Sequence, residues 1–479
     1  MGFNTSLGLL GDYSLTGSPS QVVSANNYFD LANTTGQGWM QQYLPELYEQ
    51  EIERYGNRTI NGFLAMVGAE MPMASDQVVW SEQNRLHIAY KHKAGGNETC
   101  VITTVSSGLV TLGSDYTNSV RVGATVIVTD SATGLKTNVC RVSATNTSAN
   151  TFNILPYKTA TLSADLSNGD GINVFVFGSE FAKGSDSMPG ELKPSFTKFD
   201  NRPMIIKDHF KISGSDTAQI GWVETIDESG QTGYSWYMKS ASETRLRFED
   251  YVEMTMIEAV KGVPGSSTAD SSTGMEAGEN FGSEGLFEAI ETRGNVFEDL
   301  ASLADFDLVL KNLDKQGAIE ENMLYVNRDL ALTFDDMMAG LNSNYQGGAS
   351  FGVFENSADM ALNLGFSGLR RGSYDFYKSD WRYLNDAAGR GGFGDVSGVL
   401  IPAGVSSVYD EGLGRNIKRP FLHVRYRASQ TDDRRMKSWV TGSVGGASYI
   451  GDDYMEVHYL SERCLVVQAA NNFILLKES

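Results

Sequence analysis

Five histidines and three cysteines are the residues of this chain best suited to do chemistry, and their spacing forms no familiar site. The histidines are His87, His92, His209, His423 and His458. Neither an HExxH pair nor a Cys-x-x-Cys occurs, so the common zinc arrangements are absent. His423 and His458 fall in segments that read as strands and could meet across a sheet. They would then be either a metal pair or, more commonly, strand-face histidines bonded to a carbonyl or water. Cys100, Cys140 and Cys464 are too few, and odd in number, for a disulfide framework in 479 residues. Cys100 and Cys140 share one β-rich stretch and could pair; otherwise the three read as reduced, partly buried thiols.

Glycine loops fare no better. Gly389-Arg390-Gly391-Gly392-Phe393-Gly394 satisfies GxGxxG literally, but a pyrophosphate cradle needs a strand before it and a helix after it. RYLNDAA precedes it and DVSG follows, so it reads as a glycine hinge in a surface loop. There is no GxxxxGK[ST] and no GxSxG nucleophile elbow. The loop Asp165–Asn173 is rich in oxygens, yet it lacks the D-x-[DN]-x-[DN]-G spacing of a calcium loop and reads as a hairpin turn. Carboxylates are abundant, and without geometry none is singled out as an acid or base. No catalytic, cofactor-binding or metal-ligating residue is assigned, and the chain reads as a non-enzyme.

One cluster is locally basic: Arg415, Lys418, Arg419, Arg425, Arg427, Arg434, Arg435 and Lys437. It reads either as solvated strand faces interleaved with Asp432 and Asp433, or as an interface for acidic neighbours or a polyanion. The whole chain is acidic, with a formal net charge of −21. That balance argues against a protein built to grip phosphate backbones. The 51 glycines exceed the average share of about 7%, while aromatic residues still reach 10%, a turn-rich rather than a disordered composition. No stretch approaches the roughly 18 apolar residues that suggest a membrane span. The N-terminus lacks a basic region followed by an apolar core, so no secretory signal is expected.

Elements must position whatever the chain does. Residues 1–36 read as an extended arm or disorder, and Pro45 to Tyr55 as a short amphipathic helix with Leu44, Tyr48, Ile52 and Tyr55 on one side. From Val78 to Ser185 the period becomes two. Strands are expected at Cys100–Val105, Val120–Val128, Asn138–Val142, Thr151–Leu155 and Ile172–Phe177, a small sandwich or barrel. Another strand is expected at Met204–Ile212. The strongest helix is expected over Tyr234 to Lys261, with Phe248, Val252, Met256 and Ala259 or Val260 on its apolar face and Ser240 with Glu243 as a candidate capping box. Residues 262–284 have a loop composition. A second helix is expected near Glu298–Leu313, ended by Gly317, and a third beginning at Thr333 with Asp336 in capping-box position. Val399–Pro402 reads as a strand, as does the segment after Pro420, with Leu422, Val424 and Tyr426 on one side and His423, Arg425 and Arg427 on the other.

Two segments carry a resemblance. LPELYEQEIERYGNRTINGFLAMVGAEMPMASDQVVWSEQNRLH (44–87) resembles the start of a tailed-phage major capsid protein. FDNRPMIIKDHFKISGSDTAQIGWVE (199–224) with SWYMKSASETRLRFEDYVEMTM (235–256) resembles the passage into the long helix of such proteins. The chain is thus similar to the major capsid proteins of tailed double-stranded DNA bacteriophages, with the crAss-like phages as one home for it.

The resemblance implies an α+β chain with the Hong Kong 97-type capsid fold and a β-rich insertion domain in its E-loop. Residues 1–60 would be the N-terminal arm, 61–94 and 186–225 the E-loop legs, and 95–185 the insertion domain. Residues 226–299 and 419–479 would form the peripheral domain with spine helix 234–261, and 300–418 the axial domain. Partners would be the chain itself, as hexamers and pentamers, together with portal, scaffold and decoration proteins and packaged double-stranded DNA in weak contact; no membrane is implied. The protein would be assembled in the host cytoplasm and reside in the virion. Trp80 and Arg85 in the E-loop, and Arg247 and Glu249 on the spine, are the expected subunit contacts, beside the plainer reading of intramolecular packing or solvated helix faces. Two other classes compete: a β-rich surface or tail protein whose region 95–185 binds host glycans, and a hydrolase with an unrecognised acidic site.

Overall fold

The computed structural model describes residues 70–83, 87–134, 137–162, 166–186, 188, 190–192, 196–217, 224–226, 232–234, 236–262, 282–298, 300, 302–317, 319–343, 368–385, 390–403, 405–410, 415–442 and 452–478. The expected arm, the helix Pro45 to Tyr55 and Arg85 lie outside these residues. Two compact units result: one formed by Trp80–Phe199, the other by the chain on either side of it. Strand β1 (Glu70–Met73) opens the described chain. β2 (Val78–Gln83) leads into the inserted unit and β10 (Phe196–Asn201) leads out, and these two strands pair with each other.

The inserted unit holds β3 (Ala89–Tyr90), β4 (Cys100–Thr104), β5 (Leu109–Leu112), β6 (Ala124–Asp130), β7 (Thr137–Asn146), β8 (Thr151–Pro156) and β9 (Ile172–Ser179), in the order β3-β9-β6-β7-β8-β5-β4. A bridge between Val101 and Gly171 lays β4 beside the start of β9. The Ile102 amide donates to the Asp170 carbonyl at 3.0 Å, and the Gly169 amide donates to the Ile102 carbonyl at 2.8 Å. Six strands therefore close into a barrel, which removes the open edges of a sheet. Period-two alternation sends Ile102, Val110, Val126, Val128, Val142, Phe152, Ile154 and Ile172 into its interior, all fully buried. Two expectations change. The strand expected at Val120 begins at Ala124, because Gly123 sits at φ +85°. The loop 165–173 is not a hairpin: β8 and β9 are not neighbours, and its backbone pairs with β4.

Among the described residues, the other unit has two larger sheets and two hairpins. β11 (Met204–Ser213) is followed by the hairpin β12 (Glu224–Ile226) and β13 (Thr232–Tyr234), and then by the long helix Trp236–Glu258. The helix is shorter than expected because residues 232–234 are already extended. Its 23 residues span about 35 Å at 1.5 Å each. Ser240 lies inside it and does not start it. Helix Leu286–Arg293 and β14 (Asn295–Glu298) come next, then helix Leu303–Gln316, β15 (Glu321–Val326) and helix Arg328–Ser343. β16 (Gly368–Arg371), β17 (Tyr374–Asp380), the short helix Arg382–Asn385 and β18 (Val396–Pro402) lead to the hairpin β19 (Val405–Asp410) and β20 (Arg415–Pro420). The chain ends with β21 (Leu422–Arg427), β22 (Lys437–Gly442), β23 (Tyr454–Val467) and β24 (Ile474–Lys477). Helices and mixed sheets are thus combined in an α+β chain.

The first sheet runs β1-β21-β23-β11, with β22 also on β23. The long helix buries Phe248, Val252, Met256 and Ile257, and Phe248 stacks on Tyr459 of β23 with centroids 5.7 Å apart. Val260, expected on this face, is 63% exposed because the helix has ended at Glu258. The second sheet runs β14-β24-β18-β15-β17-β16. Phe306 and Phe334, from the helices Leu303–Gln316 and Arg328–Ser343, meet Phe376 of β17, with Phe306 5.4 and 5.0 Å from the other two rings.

Helix Leu303–Gln316 starts later than expected, at a capping box between Ser302 and Asp305, while Asn295–Glu298 is strand; Gly317 ends it in the left-handed conformation at φ +69°. Thr333 does not begin the third helix. The side chain of Asn327 accepts from the Leu330 amide at 2.8 Å before the first turn, and the Thr333 hydroxyl donates back to the Asp329 carbonyl at 3.0 Å within the helix.

Candidate functional site

Of the basic cluster, Arg425, Arg427, Arg434, Arg435 and Lys437 fall on or beside the first sheet, where the last four meet carboxylates of their own chain. Arg415, Lys418 and Arg419 lie on β20 of the separate β19–β20 hairpin. Glu462 takes Arg434 at 3.0 Å and Arg427 at 3.5 Å, and Arg427 also meets Asp76. Lys437 meets Asp432 at 2.7 Å. At the centre lies Arg463, 1% exposed. It donates to the Glu70 carboxylate at 3.2 Å, to the Ser461 hydroxyl at 2.7 Å and to the Arg435 carbonyl at 2.6 Å. Glu70 also holds Arg435. Burial lowers the pKa of Arg463 from its ordinary value, and Glu70 and Glu253 oppose that shift. These pairs all lie within one chain, and that of Lys437 with Asp432 is the interleaving that the first of the two readings describes. Arg463 and Glu70 were missed because 393 positions separate them.

The face of this sheet that carries Glu462 also carries a row of rings. Trp439, His458 and His209 stand side by side on β22, β23 and β11, at centroid distances of 5.0 and 6.3 Å. Glu456 lies 3.7 Å from His209 and 3.9 Å from His458. The expected meeting of His423 with His458 does not occur: His423 stands opposite Val466, and β23 is long enough for His458 to face β11 instead. Among the described residues, no group of three or more His, Cys, Asp or Glu side chains is placed to hold a metal.

The four expected contact residues are scattered. Trp80 is 8% exposed; its indole donates to Glu82 at 3.0 Å and its ring lies 6.1 Å from Phe199. Arg247 pairs with Asp208 at 3.0 Å, and Glu249 with Arg245 at 3.2 Å. Arg85 lies outside the described residues. In the glycine loop, Arg390 pairs with Glu258 at 3.1 Å and with Asp395 at 2.7 Å, and Tyr383 donates to the same Glu258 at 2.7 Å. Gly389 itself is outside the described residues. Sequence reasoning also missed exposed apolar side chains on otherwise ordered elements. They include Tyr251 on the long helix, Leu308 on helix Leu303–Gln316, Leu332 on helix Arg328–Ser343, and Phe393, which is 80% exposed.

The three cysteines are free and buried. Burial pushes each thiol up to about 12, with Arg425 partly opposing the shift at Cys464. Thiolate is the reactive form, so these thiols are poor nucleophiles in the folded chain. A disulfide-exchange reagent at pH 8 is expected to label none of them in the native protein and all three after denaturation. Rapid native labelling would contradict this packing. Among the described residues, no helix is long and apolar enough to cross a membrane.

No protein-family model matches the chain. No curated protein matches it either. Among solved structures, it is similar to a chain of Microbacterium phage Oxtober96 at 8% identity and a TM-score of 0.38, covering 92% of this chain and 98% of that one. It is similar to the capsid structure of the Cyanophage P-SCSP1u at 10% identity and a TM-score of 0.33, covering 63% and 80%. It is also similar to the asymmetric unit of the bacteriophage PhiM1 mature capsid at 8% identity and a TM-score of 0.32, covering 64% and 79%. All three of these are phage structures, two of them capsids by name.

Proposed function

We propose that the chain is a self-assembling shell subunit, the major capsid protein of a tailed double-stranded DNA phage, with the Hong Kong 97-type fold. The observation that carries this reading is the order of elements around the long helix Trp236–Glu258. The helix packs on a sheet drawn from β1, β11 and β21–β23, and a closed barrel is inserted between the first and second of these. That order agrees with the residues of 199–256 that carry the sequence resemblance. In this reading residues 1–60 are the arm, 61–94 and 186–225 the E-loop legs around an insertion domain, 226–299 and 419–479 the peripheral domain, and 300–418 the axial domain.

The chain would act by binding copies of itself into hexamers and pentamers. Several moderate contacts, each made at high effective concentration once the first has formed, would hold the shell. Trp80, Arg85, Arg247 and Glu249 stay proposed contact residues. Those with internal partners would act through the surfaces they shape, and the exposed Tyr251 and Phe393 would add apolar area. Most described arginines of the basic cluster have acids of their own chain, and the total charge is −21. Both favour weak rather than tight contact with packaged DNA. Portal, scaffold and decoration proteins, assembly in the host cytoplasm and residence in the virion follow as parts of the same proposal.

Electron microscopy and light scattering of the full-length protein test it. Closed particles or hexamer-sized rings are expected when the chain is expressed alone or with its neighbouring genes. A species that stays monomeric at high concentration under every such condition would sink the reading.

A further inference from the structure

Among the described residues, the barrel of the inserted unit has an outer face that is partly uncovered. Phe175 and Phe177 of β9, Leu155 of β8 and Tyr157 just after it are between 43% and 52% exposed. A register shift at Thr125/Val126 against β9 breaks the regular pairing here, as bulges beside binding sites do. The result is an open cleft of about 560 Å³ with Val139, Tyr157 and Phe177 as walls, Thr125 and Gly178 as floor and Glu180 on the rim.

Two features of that floor point to a ligand. Thr125 is 6% exposed and its hydroxyl has no hydrogen-bond partner among the described residues. A buried hydroxyl seldom stays unpaired, so a partner from outside the chain is called for, directly or through one ordered water. Gly178 keeps the space above it clear: a Cβ there would stand 3.2 Å from the Thr125 hydroxyl oxygen. Charge narrows the class further. The Tyr157 hydroxyl donates to the Glu180 carboxylate, which raises the pKa of Tyr157, and Arg141 donates to the Glu180 carbonyl at 3.2 Å. The carboxylate is thus already engaged and has a cation nearby, an environment suited to a neutral ligand. Flat apolar walls beside hydroxyl and carboxylate acceptors suit one face of CH groups and an edge of hydroxyls.

We propose that this cleft binds a neutral hexopyranose unit of a glycan. The inference does not depend on the shell reading, since every residue in it belongs to the inserted unit. Full-length protein, in whatever assembly state it adopts, would be titrated with maltotetraose, laminaritetraose, mannotetraose and chitotetraose, using calorimetry and saturation-transfer NMR. Saturable binding of at least one is expected. Tyr157→Ala, a change at an exposed ring, should weaken it about tenfold or more. Thr125→Val should weaken binding while leaving the thermal midpoint unchanged or higher, because it removes an unpaired hydroxyl at constant shape. A purely structural role for Thr125 would not separate those two readouts. Gly178→Val should abolish binding by filling the cleft. The proposal is overturned by absence of binding to all four sugars, by unchanged affinity in Tyr157→Ala and Thr125→Val, or by saturable binding of only charged glycans or peptides at these residues.

Discussion

Arg463→Ala is expected to cost the subunit about 3–5 kcal/mol, the usual cost of breaking a buried ion pair from one side. The reason lies in what the guanidinium holds. It is 1% exposed and donates to Glu70, Ser461 and the Arg435 carbonyl. Alanine takes one of two cations from the Glu70 carboxylate, one of two donors from the Arg435 carbonyl and the guanidinium donor from the Ser461 hydroxyl oxygen, and it leaves a void. Glu70 belongs to β1, which pairs in parallel with β21 from Glu70↔Val424 to Met73↔Arg427. Losing the pair therefore loosens the strand by which the N-terminal part of the chain joins the sheet. Denaturant unfolding should show a lower midpoint, and amide exchange should rise at Glu70–Met73 first. The double variant Arg463→Met with Glu70→Gln should recover part of the loss, because it fills the void and removes a carboxylate that has lost one of its two cations. Equal stability of Arg463→Ala and the parent chain would show that the pair contributes nothing net.

That pair also marks where sequence reasoning ends. Local signals were readable. Alternation located the barrel strands, and Phe248, Val252 and Met256 at helical spacing located the long helix and its buried side. Gly317 stopped a helix where a left-handed residue was needed. Misreadings arose where one local pattern has two meanings. Thr333 followed by Asp336 matches a capping box, yet a threonine inside a helix can bond back to its own turn, and it does. What no local pattern holds is register between distant strands. The length of β23 puts His458 opposite His209 and leaves His423 opposite Val466. The same register gives Arg427 and Arg434 their partner Glu462, which is why the described side chains of a run of cations that could have faced a polyanion are largely occupied. The cleft on the barrel was equally invisible, since it depends on one register shift and on the absence of a side chain at Gly178.

Asn201→Leu should be the most damaging polar-to-apolar change near the end of β10, at about 3 kcal/mol or more. The side chain is fully buried and uses all its bonding capacity. Its amide donates to the carbonyls of Leu465 at 2.6 Å and Glu284 at 3.0 Å. Its oxygen accepts from the amides of Glu284 and Arg202, both at 2.8 Å, and from the Ser283 hydroxyl at 3.1 Å. Leucine has similar bulk but strands these partners, and each buried group left unpaired costs about 1–3 kcal/mol before relaxation. Three distant segments meet here: the end of β10, residues 283–284 and β23. Around them, Lys261 reaches Asp200 at 2.8 Å and Arg293 reaches Glu284 at 2.7 Å. One asparagine thus fixes the chain where it leaves the inserted unit onto the sheet that carries the long helix. Unfolding of the Asn201→Leu protein should begin in the unit that holds the two sheets, with faster exchange at Glu284 and Leu465. The barrel amides of Phe152 and Ile154 should keep their protection, because that core is built from its own strands. Simultaneous loss of protection in both units would mean that the barrel needs this anchor to fold. A stability change below about 0.5 kcal/mol, the ordinary scale of a surface substitution, would mean that the five bonds are replaced by water.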